Sequence, residues 1–376
     1  MSARDTIIVG LSGGVDSAVA ALRLLEDGHD VQGLFMTNWD DDDGYCTAAQ
    51  DFQDARAVAE VLGIALHRVD FRREYRERVF AHFLAEYSAG RTPNPDVACN
   101  REIKFGICLA HARRLGASRY ATGHYARLVA GPEGIELHKG TDPARDQSYF
   151  LHSIEPEALG SIAFPIGDLY KDEVRERARR AGLPVYDKPD STGICFIGER
   201  PFREFLSQYI VSEPGPIETA DGERIGTHRG LAFYTLGQRG GLEIGGQSGH
   251  DEGAWYVARK DVARNALIVV QGHDHPLLQS TALVTEAFHW LARVPGGAFR
   301  AMAKVRYRQA DQPVDVMPLA GGRVRLNFDQ PQRAVAPGQY AVLYQGTRCI
   351  GGGVIDSTRP VGAESHAGPA AAIIVG

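Results

Sequence analysis

The chain has 376 residues, with 41 Lys and Arg against 47 Asp and Glu, and its formal net charge is −6. At about 150 residues per domain, this length predicts two or three domains. No apolar run approaches the ~18 residues that a membrane helix needs, and the first residues show no signal-peptide pattern. We therefore expect a cytoplasmic protein with no membrane partner.

The cysteines are odd in number and form no Cys-x-x-Cys pair. They are Cys46, Cys99, Cys108, Cys195 and Cys349. This spacing excludes a disulfide scaffold and a standard zinc ribbon, and it identifies no metal ligands.

Charge is distributed unevenly along the chain. Residues 281–350 carry nine Lys and Arg against four Asp and Glu, which gives this segment +5 and leaves −11 on the rest. A basic module on an acidic body suits a phosphate-rich partner, although a solvated barrel surface would show the same charge.

The first third of the chain alternates strands and helices. The pattern predicts strands at 6–11, 31–36, 65–71 and 120–122, and helices at 15–26, 47–62 and 102–115. Strands separated by helices of this length indicate a parallel sheet covered by helices on both faces, an α/β fold.

After about residue 200 the pattern changes to short strands with Gly and Pro turns. Stretches such as 255–258, 266–270, 301–307, 323–328 and 339–344 predict two smaller, mainly β modules, the last a β-barrel. We predict an α/β domain at 1–202, a small central β domain at 203–276 and a β-barrel at 277–357. An Ala-, Gly- and Pro-rich tail at 358–376 is expected to be disordered.

A glycine-rich loop follows the first predicted strand and precedes the first predicted helix. It consists of Gly10, Leu11, Ser12, Gly13, Gly14, Val15, Asp16 and Ser17. Glycines let a phosphate approach the backbone, and the free N–H groups of a helix start bind anions. The loop lacks the Walker lysine and the Gly-x-Gly-x-x-Gly spacing, which disfavours a P-loop NTPase and a dinucleotide site. Met36 and Gly123 end two further strands, at the sheet edge where ligands bind in open α/β folds.

Two cysteines, Cys99 and Cys195, lie in polar stretches of the sequence. Cys99 follows Asn94-Pro95-Asp96 and precedes a helix predicted from about Arg101, where a thiol ionises more easily. Cys195 lies in a Gly-punctuated loop. Taken singly, each is more typical of a small buried hydrophobic residue than of a reactive thiol.

The loop resembles the PP-loop of the ATP pyrophosphatases, which adenylate a carbonyl oxygen and release pyrophosphate. The chain also resembles the tRNA-specific 2-thiouridylases, a tRNA thiolase family, over about residues 5–356. The specific motifs of this resemblance are the loop and residues 94–105 and 190–200. The resemblance implies ATP-dependent thiolation of the wobble uridine, U34, by a monomer that uses Mg²⁺ and a persulfide-carrying donor protein.

Residue roles follow from the same resemblance. The PP-loop residues 10–17, Met36 and Gly123 would bind ATP. Asn94, Pro95 and Asp96 would hold the target base, with Asp96 as acid or base. Cys195 would carry the persulfide, and Cys99 would act as nucleophile and form a Cys99–Cys195 disulfide. The tRNA contacts would be His124, Asp146, Gln147, Ser148, Arg306, Tyr307 and Gln339.

Two rival functions fit parts of the pattern. A PP-loop ligase that adds nitrogen would need neither cysteine, and an ATP-sensing or RNA-binding module would bind nucleotide without releasing pyrophosphate.

Overall fold

The amino-terminal domain is built on a parallel five-stranded sheet. The computed structural model describes residues 5–39, 48–190, 202–245 and 253–362. The strands have the order β3-β2-β1-β4-β7, and all of the pairings are parallel. Their bounds are β1 Thr6–Gly10, β2 Asp30–Thr37, β3 Leu66–Asp70, β4 Arg119–Ala121 and β7 Ile162–Ala163. The sheet confirms the α/β fold class.

Helices cover both faces of this sheet. They are α1 Val15–Glu26, α2 Ala48–Leu62, α3 (residues 72–88), α4 (residues 95–114), α5 Ser148–Leu151, α6 Lys171–Arg180 and α7 Phe202–Ser207. Two apolar clusters form, one around α1, α2 and α6 and one around α3, α4 and α7.

Helix α4 begins earlier than the sequence pattern predicted. Asn94 caps it by accepting a hydrogen bond from the backbone N–H of Asp96, and Pro95 occupies the first helical turn. Both are standard features of a helix start. The prediction of a helix from Arg101 was therefore wrong, and Cys99 lies inside the helix, whose central turns, Cys99–Cys108, are π-helical.

The central part of the chain forms a separate four-stranded sheet with the order β10-β11-β8-β9. Its strands are β8 Gly215–Thr219, β9 Arg224–His228, β10 Trp255–Asp261 and β11 Ala266–Gln271. The pair β11–β8 is parallel, and the other pairs are antiparallel.

A closed six-stranded barrel follows, as predicted. Its order is β12-β16-β15-β14-β17-β18, and β12 pairs with β18 to close it. The strands are β12 Gln279–Thr285, β13 His289–Trp290 (which pairs with β18 beside the barrel), β14 Phe299–Lys304, β15 Gln312–Pro318, β16 Val324–Arg333, β17 Tyr340–Gln345 and β18 Arg348–Pro360. The last strand runs to Pro360, so residues 358–360 are ordered strand where we predicted a tail; residues 363–376 lie outside the described residues.

A hairpin that the sequence analysis missed joins the first domain to the barrel. Strands β5 Ala126–Gly131 and β6 Gly134–Lys139 pair with each other, and His138 pairs with Arg348 of β18. Lys139 forms an ion pair with Asp311 of the barrel, and its ammonium lies 4.2 Å from the ring centre of Tyr344. The two domains are thus connected through backbone, ionic and aromatic contacts.

Within the described ranges, no helix combines the length and the apolar character needed to cross a membrane.

Candidate functional site

The glycine-rich loop of residues 10–17, called the phosphate loop from here on, leads from β1 into the first turn of α1. Gly14 is the N-cap residue, and no side chain caps the helix. Ser17 Oγ donates to the carbonyl oxygen of Gly14 at 3.0 Å and accepts from the backbone N–H of Ser12 at 3.1 Å. Because the first N–H groups of a helix have no partner inside it, this arrangement forms an anion site.

Three glycines in and around this loop are packed against backbone or a buried ring. A Cβ at Gly13, whose φ is +78°, would lie 2.4 Å from the carbonyl oxygen of Asp51. One at Gly10 would lie 2.4 Å from the Tyr120 hydroxyl oxygen. At Gly123 it would lie 2.6 Å from the backbone of Asp16 and Ser17. Gly123 therefore brings the end of β4 against the start of α1.

Two lysines that the sequence analysis did not identify form contacts with this loop. Lys171 Nζ lies 2.8 and 2.9 Å from the two carboxylate oxygens of Asp16 and 2.6 Å from Asp190 Oδ1. Burial alone would raise the pKa of Asp190, but the hydrogen bond from Lys171 holds that pKa below its ordinary value.

Lys188 acts on the other side of the loop. Its ammonium donates to the carbonyl oxygen of Gly13 at 3.0 Å and forms ion pairs with Asp51 and Asp54 of α2. Both lysines are thus neutralised by two carboxylates each, and both fix the backbone or a side chain of the phosphate loop.

The predicted target-base segment forms the first turn of α4. Asn94 and Pro95 define the helix start, so the side chain of Asn94 is engaged in capping. Burial raises the pKa of Asp96, and the charge of Lys104 partly offsets that effect. Cys99 is 2% exposed. Cys195 lies outside the described residues, so the predicted Cys99–Cys195 pair has no geometry here.

Lys104 connects this segment to the end of β4. Its Nζ lies 3.4 Å from Nε2 of His124, a predicted tRNA contact that is 7% exposed. Burial, and then the charge of Lys104, lower the pKa of His124 well below its usual value, so the imidazole is neutral. The other ring nitrogen, Nδ1, lies 2.7 Å from Thr122 Oγ1.

The remaining predicted nucleotide residue, Met36, lies beside α4. Its Sδ is 3.5 Å from the Sγ of Cys108. Asp96, Asn100, Lys104 and Cys108 recur at every fourth position of α4, so one stripe of the helix runs from the target-base segment to the strand ends. Within the described residues, the buried Oδ1 of Asn100 has no hydrogen-bond partner.

The first group of predicted tRNA contacts lies where α5 meets the barrel. Asp146 and Ser148 are buried, and the Ser148 hydroxyl is hydrogen-bonded to Asp146 and to Tyr344 of β17. Gln147 accepts from the backbone N–H of Tyr125 at 3.0 Å. In this structure these three side chains therefore make protein contacts.

Arg306 and Tyr307 are brought to the same place by the barrel. They follow β14, rather than ending it as the strand pattern predicted. The Tyr307 ring lies 4.4 Å from the Phe150 ring, and Arg306 donates to the carbonyl oxygen of Arg333 at 2.7 Å. Tyr307 of the barrel thus lies next to the helix that begins at Ser148 of the first domain.

Gln339 lies elsewhere, next to the target-base segment. Its amide donates to the carbonyl oxygens of Thr92 at 2.8 Å and Pro93 at 3.2 Å. Thr92 also donates its backbone N–H to Pro337 and lies 3.0 Å, hydroxyl to hydroxyl, from Thr235 of the central domain. Three domains therefore meet just before Asn94.

The missed residues could be found only in part from the sequence. Lys104 lies eight residues after Asp96. Had the helix been predicted to begin at Pro95, this spacing would have placed the two side chains on the same face of it. Lys171 and Lys188 contact partners more than 130 residues away in the chain, which no local pattern reveals.

Family models match nearly the whole described chain. They are a tRNA methyl transferase HUP domain at residues 5–199, a tRNA methyl transferase PRC-barrel domain at 203–271 and an aminomethyltransferase beta-barrel domain at 280–355.

Curated relatives give the family a more specific name. The tRNA-specific 2-thiouridylase MnmA of Halorhodospira halophila is 57% identical, over 97% of this chain and 96% of that protein. The protein of the same name from Alkalilimnicola ehrlichii is also 57% identical, over 96% and 100%, and that of Paracidovorax citrulli is 55% identical, over 96% and 98%. The chain belongs to the tRNA-specific 2-thiouridylase family of tRNA sulfurtransferases.

Proposed function

We propose that this enzyme uses ATP to convert the wobble uridine, U34, of tRNA to 2-thiouridine, releasing AMP and pyrophosphate. One observation carries the proposal: the uncapped, glycine-lined start of α1 is joined through Gly123, His124 and Lys104 to the helix that bears Asp96 and Cys99. A phosphate site and a half-buried carboxyl on the same helix as a thiol are the components that adenylation followed by sulfur transfer requires.

ATP is a substrate of this reaction and fits the loop. Residues 10–17 offer backbone N–H groups and the Ser12 hydroxyl to the phosphates, while Ser17 holds the loop and Met36 and Gly123 lie at the ends of the strands on either side of β1. Mg²⁺ prefers oxygen ligands and keeps several waters. Since the carboxylates of Asp16, Asp51 and Asp54 are held by lysines, triphosphate oxygens and water would supply most of its ligands, and the ion would neutralise phosphate charge.

The first chemical step activates the base. The O2 oxygen of uridine attacks the α-phosphorus, the new O–P bond forms, and the bond to pyrophosphate breaks. Asp96, whose pKa is raised by burial, accepts the N3 proton that the base loses.

The second step replaces oxygen by sulfur. The terminal sulfur of a Cys195 persulfide attacks C2, and AMP leaves with the former O2. The Cys99 thiolate then attacks Cys195 Sγ, which breaks the persulfide S–S bond, leaves sulfur on C2 and forms the Cys99–Cys195 disulfide. The proton held by Asp96 returns to N3, which gives the neutral 2-thiouridine. A thiol reductant restores both cysteines, and a persulfide-carrying donor protein reloads Cys195.

Binding of tRNA would use the junction of the first domain and the barrel. Arg306 and Tyr307 lie next to the segment of Asp146, Gln147 and Ser148, and they suit phosphate and base stacking. His124 and Gln339 flank the target-base segment. The enzyme would act as a monomer on one tRNA.

Mass analysis of nucleosides tests the proposal. tRNA incubated with the protein, Mg-ATP and a persulfide-carrying donor protein should yield 2-thiouridine that is absent without ATP. AMP and pyrophosphate without modified uridine would leave the phosphate site standing and overturn the acceptor.

A further inference from the structure

We propose that Lys104 is the catalytic cation of the adenylation step, contacting the α-phosphate of ATP while the uridine oxygen attacks it. This inference rests on the proposed function and adds a residue role to it.

Lys104 lies between the two halves of the site. On one side it is close enough to Asp96 for its charge to act on that carboxyl, with no hydrogen bond between them. On the other side it contacts His124, whose neighbour Gly123 packs on the backbone of Asp16 and Ser17. The base-binding turn and the phosphate loop therefore converge on this ammonium.

The partner of Lys104 does not neutralise it. An ammonium can only donate, so Nε2 of His124 accepts, and the imidazole proton resides on Nδ1 facing Thr122 Oγ1. His124 is neutral because it is buried beside a positive charge. The long 3.4 Å separation is a weak hydrogen bond that an anionic oxygen would replace readily.

The other lysines near the loop cannot take this role without losing structural contacts. Lys171 is shared between Asp16 and Asp190, and Lys188 between Asp51 and Asp54. Each is surrounded by two carboxylates, so neither offers net positive charge to a phosphate. Lys104 differs in that its hydrogen-bond partner among the described residues is uncharged.

The reaction requires a cation at this point. As the O2–P bond forms and the bond to pyrophosphate breaks, negative charge lies on the equatorial oxygens of the transferred group and on the leaving group. A cation placed there before the reaction stabilises that charge. Half-buried Lys104 meets this condition.

The test compares Lys104→Met with Arg114→Met, an exposed residue at the carboxyl end of the same helix. The measurements are single-turnover pyrophosphate release with tRNA and Mg-ATP, and tRNA affinity by fluorescence anisotropy. We expect Lys104→Met to slow release by ~10²–10³-fold with tRNA affinity within about threefold of wild type. Arg114→Met should retain the wild-type release rate.

Chemical rescue separates a catalytic cation from a structural one. In Lys104→Ala, added methylammonium should raise the release rate, whereas tetramethylammonium, which cannot donate a hydrogen bond, should not. Unchanged release in Lys104→Met, or a loss confined to tRNA affinity, would overturn the inference. Absence of release from the wild-type enzyme would instead refute the proposed function.

Discussion

The side-chain amide of Gln339 in the barrel donates to the backbone carbonyl of Thr92, two residues before the turn that carries Asn94, Pro95 and Asp96. This contact joins a turn of the third domain to the predicted target-base segment of the first. Gly338 reinforces it, since a Cβ there would lie 2.8 Å from the backbone nitrogen of Thr92. The barrel therefore supports the predicted target-base segment through direct contacts with its backbone.

Gln339→Glu should disturb this support. A carboxylate cannot donate, and it would face two carbonyl oxygens at the distances now occupied by an amide nitrogen. We expect a loss of about 1–3 kcal/mol in unfolding free energy, measured by urea denaturation. Gln345→Glu, at an exposed position of the same strand region, is the control. Equal stability of the two variants would contradict a supporting role.

Asp96→Asn should separate stability from activity. Since burial raises the pKa of Asp96 in the folded state, its ionisation costs stability as pH rises through that pKa, and the cost vanishes below its ordinary value near 3.8. The variant should therefore be more stable than wild type at pH 8, by a margin that shrinks as pH falls towards 4, while thiolation is lost.

Asp70→Asn is the control for that experiment, because its effect on stability is expected to have the opposite sign at pH 8. Hydrogen bonds from Arg72 lower the pKa of Asp70, so the folded state gains stability from its ionisation above pH ~4. This variant should be slightly less stable than wild type at pH 8 and equal to it at low pH. The same slope in both variants would refute the interpretation of Asp96.

Lys171→Met should destabilise the phosphate loop. It leaves the carboxylates of Asp16 and Asp190 without their shared ammonium, whereas Arg177→Met on the same helix removes only an exposed pair with Glu26. We expect a larger fall in melting temperature and a higher KM for ATP in Lys171→Met. Asp16→Asn combined with Lys171→Met should be less harmful than the sum of the two changes.

Gly123→Ala should push β4 away from α1. The new methyl group would lie 2.6 Å from main-chain atoms of Asp16 and Ser17, which cannot move without shifting the helix start. Pyrophosphate release should fall by at least ~10-fold, as expected when phosphate-binding groups are misplaced. Gly160→Ala, which meets no atom within 4 Å, should leave release unchanged.

Cys195→Ser should abolish thiolation and leave tRNA-dependent pyrophosphate release intact. The hydroxyl cannot carry a persulfide, but adenylation precedes sulfur transfer in the proposed order. Radiolabelled pyrophosphate measured beside 2-thiouridine checks this division. Loss of both signals together, in a variant that still binds tRNA, would show that the two steps are not separate.

Local patterns predicted the elements that depend on local sequence. Helix α1 has the predicted bounds, Val15–Glu26, because its apolar periodicity and the following Gly28 are both encoded in twelve to fourteen residues. The start of α4 was placed too late, although Asn94 and Pro95 already carry the capping pattern. The glycines and serines of residues 10–17 led us to predict that this loop binds phosphate, and this stays a prediction.

Contacts between residues that are far apart in the chain could not be predicted from local patterns. The hairpin β5–β6 is stabilised by contacts with Arg348 and Thr347, about 200 residues away, so its own alternation gives a weak signal. Asp146 and Ser148 were expected at the tRNA, and only the folded chain reveals that their side chains bond to each other and to Tyr344. Whether tRNA reaches this segment stays a prediction.

The pairing of Ser280 with Pro360 places the entry and the exit of the barrel side by side. A module whose two ends meet can be removed, replaced or inserted into another protein without threading the chain through its neighbours. The barrel is therefore suited to exchange as a unit. A replacement module would need two adjacent ends, a strand that pairs with β6 and a side chain that donates a hydrogen bond to the Thr92 carbonyl.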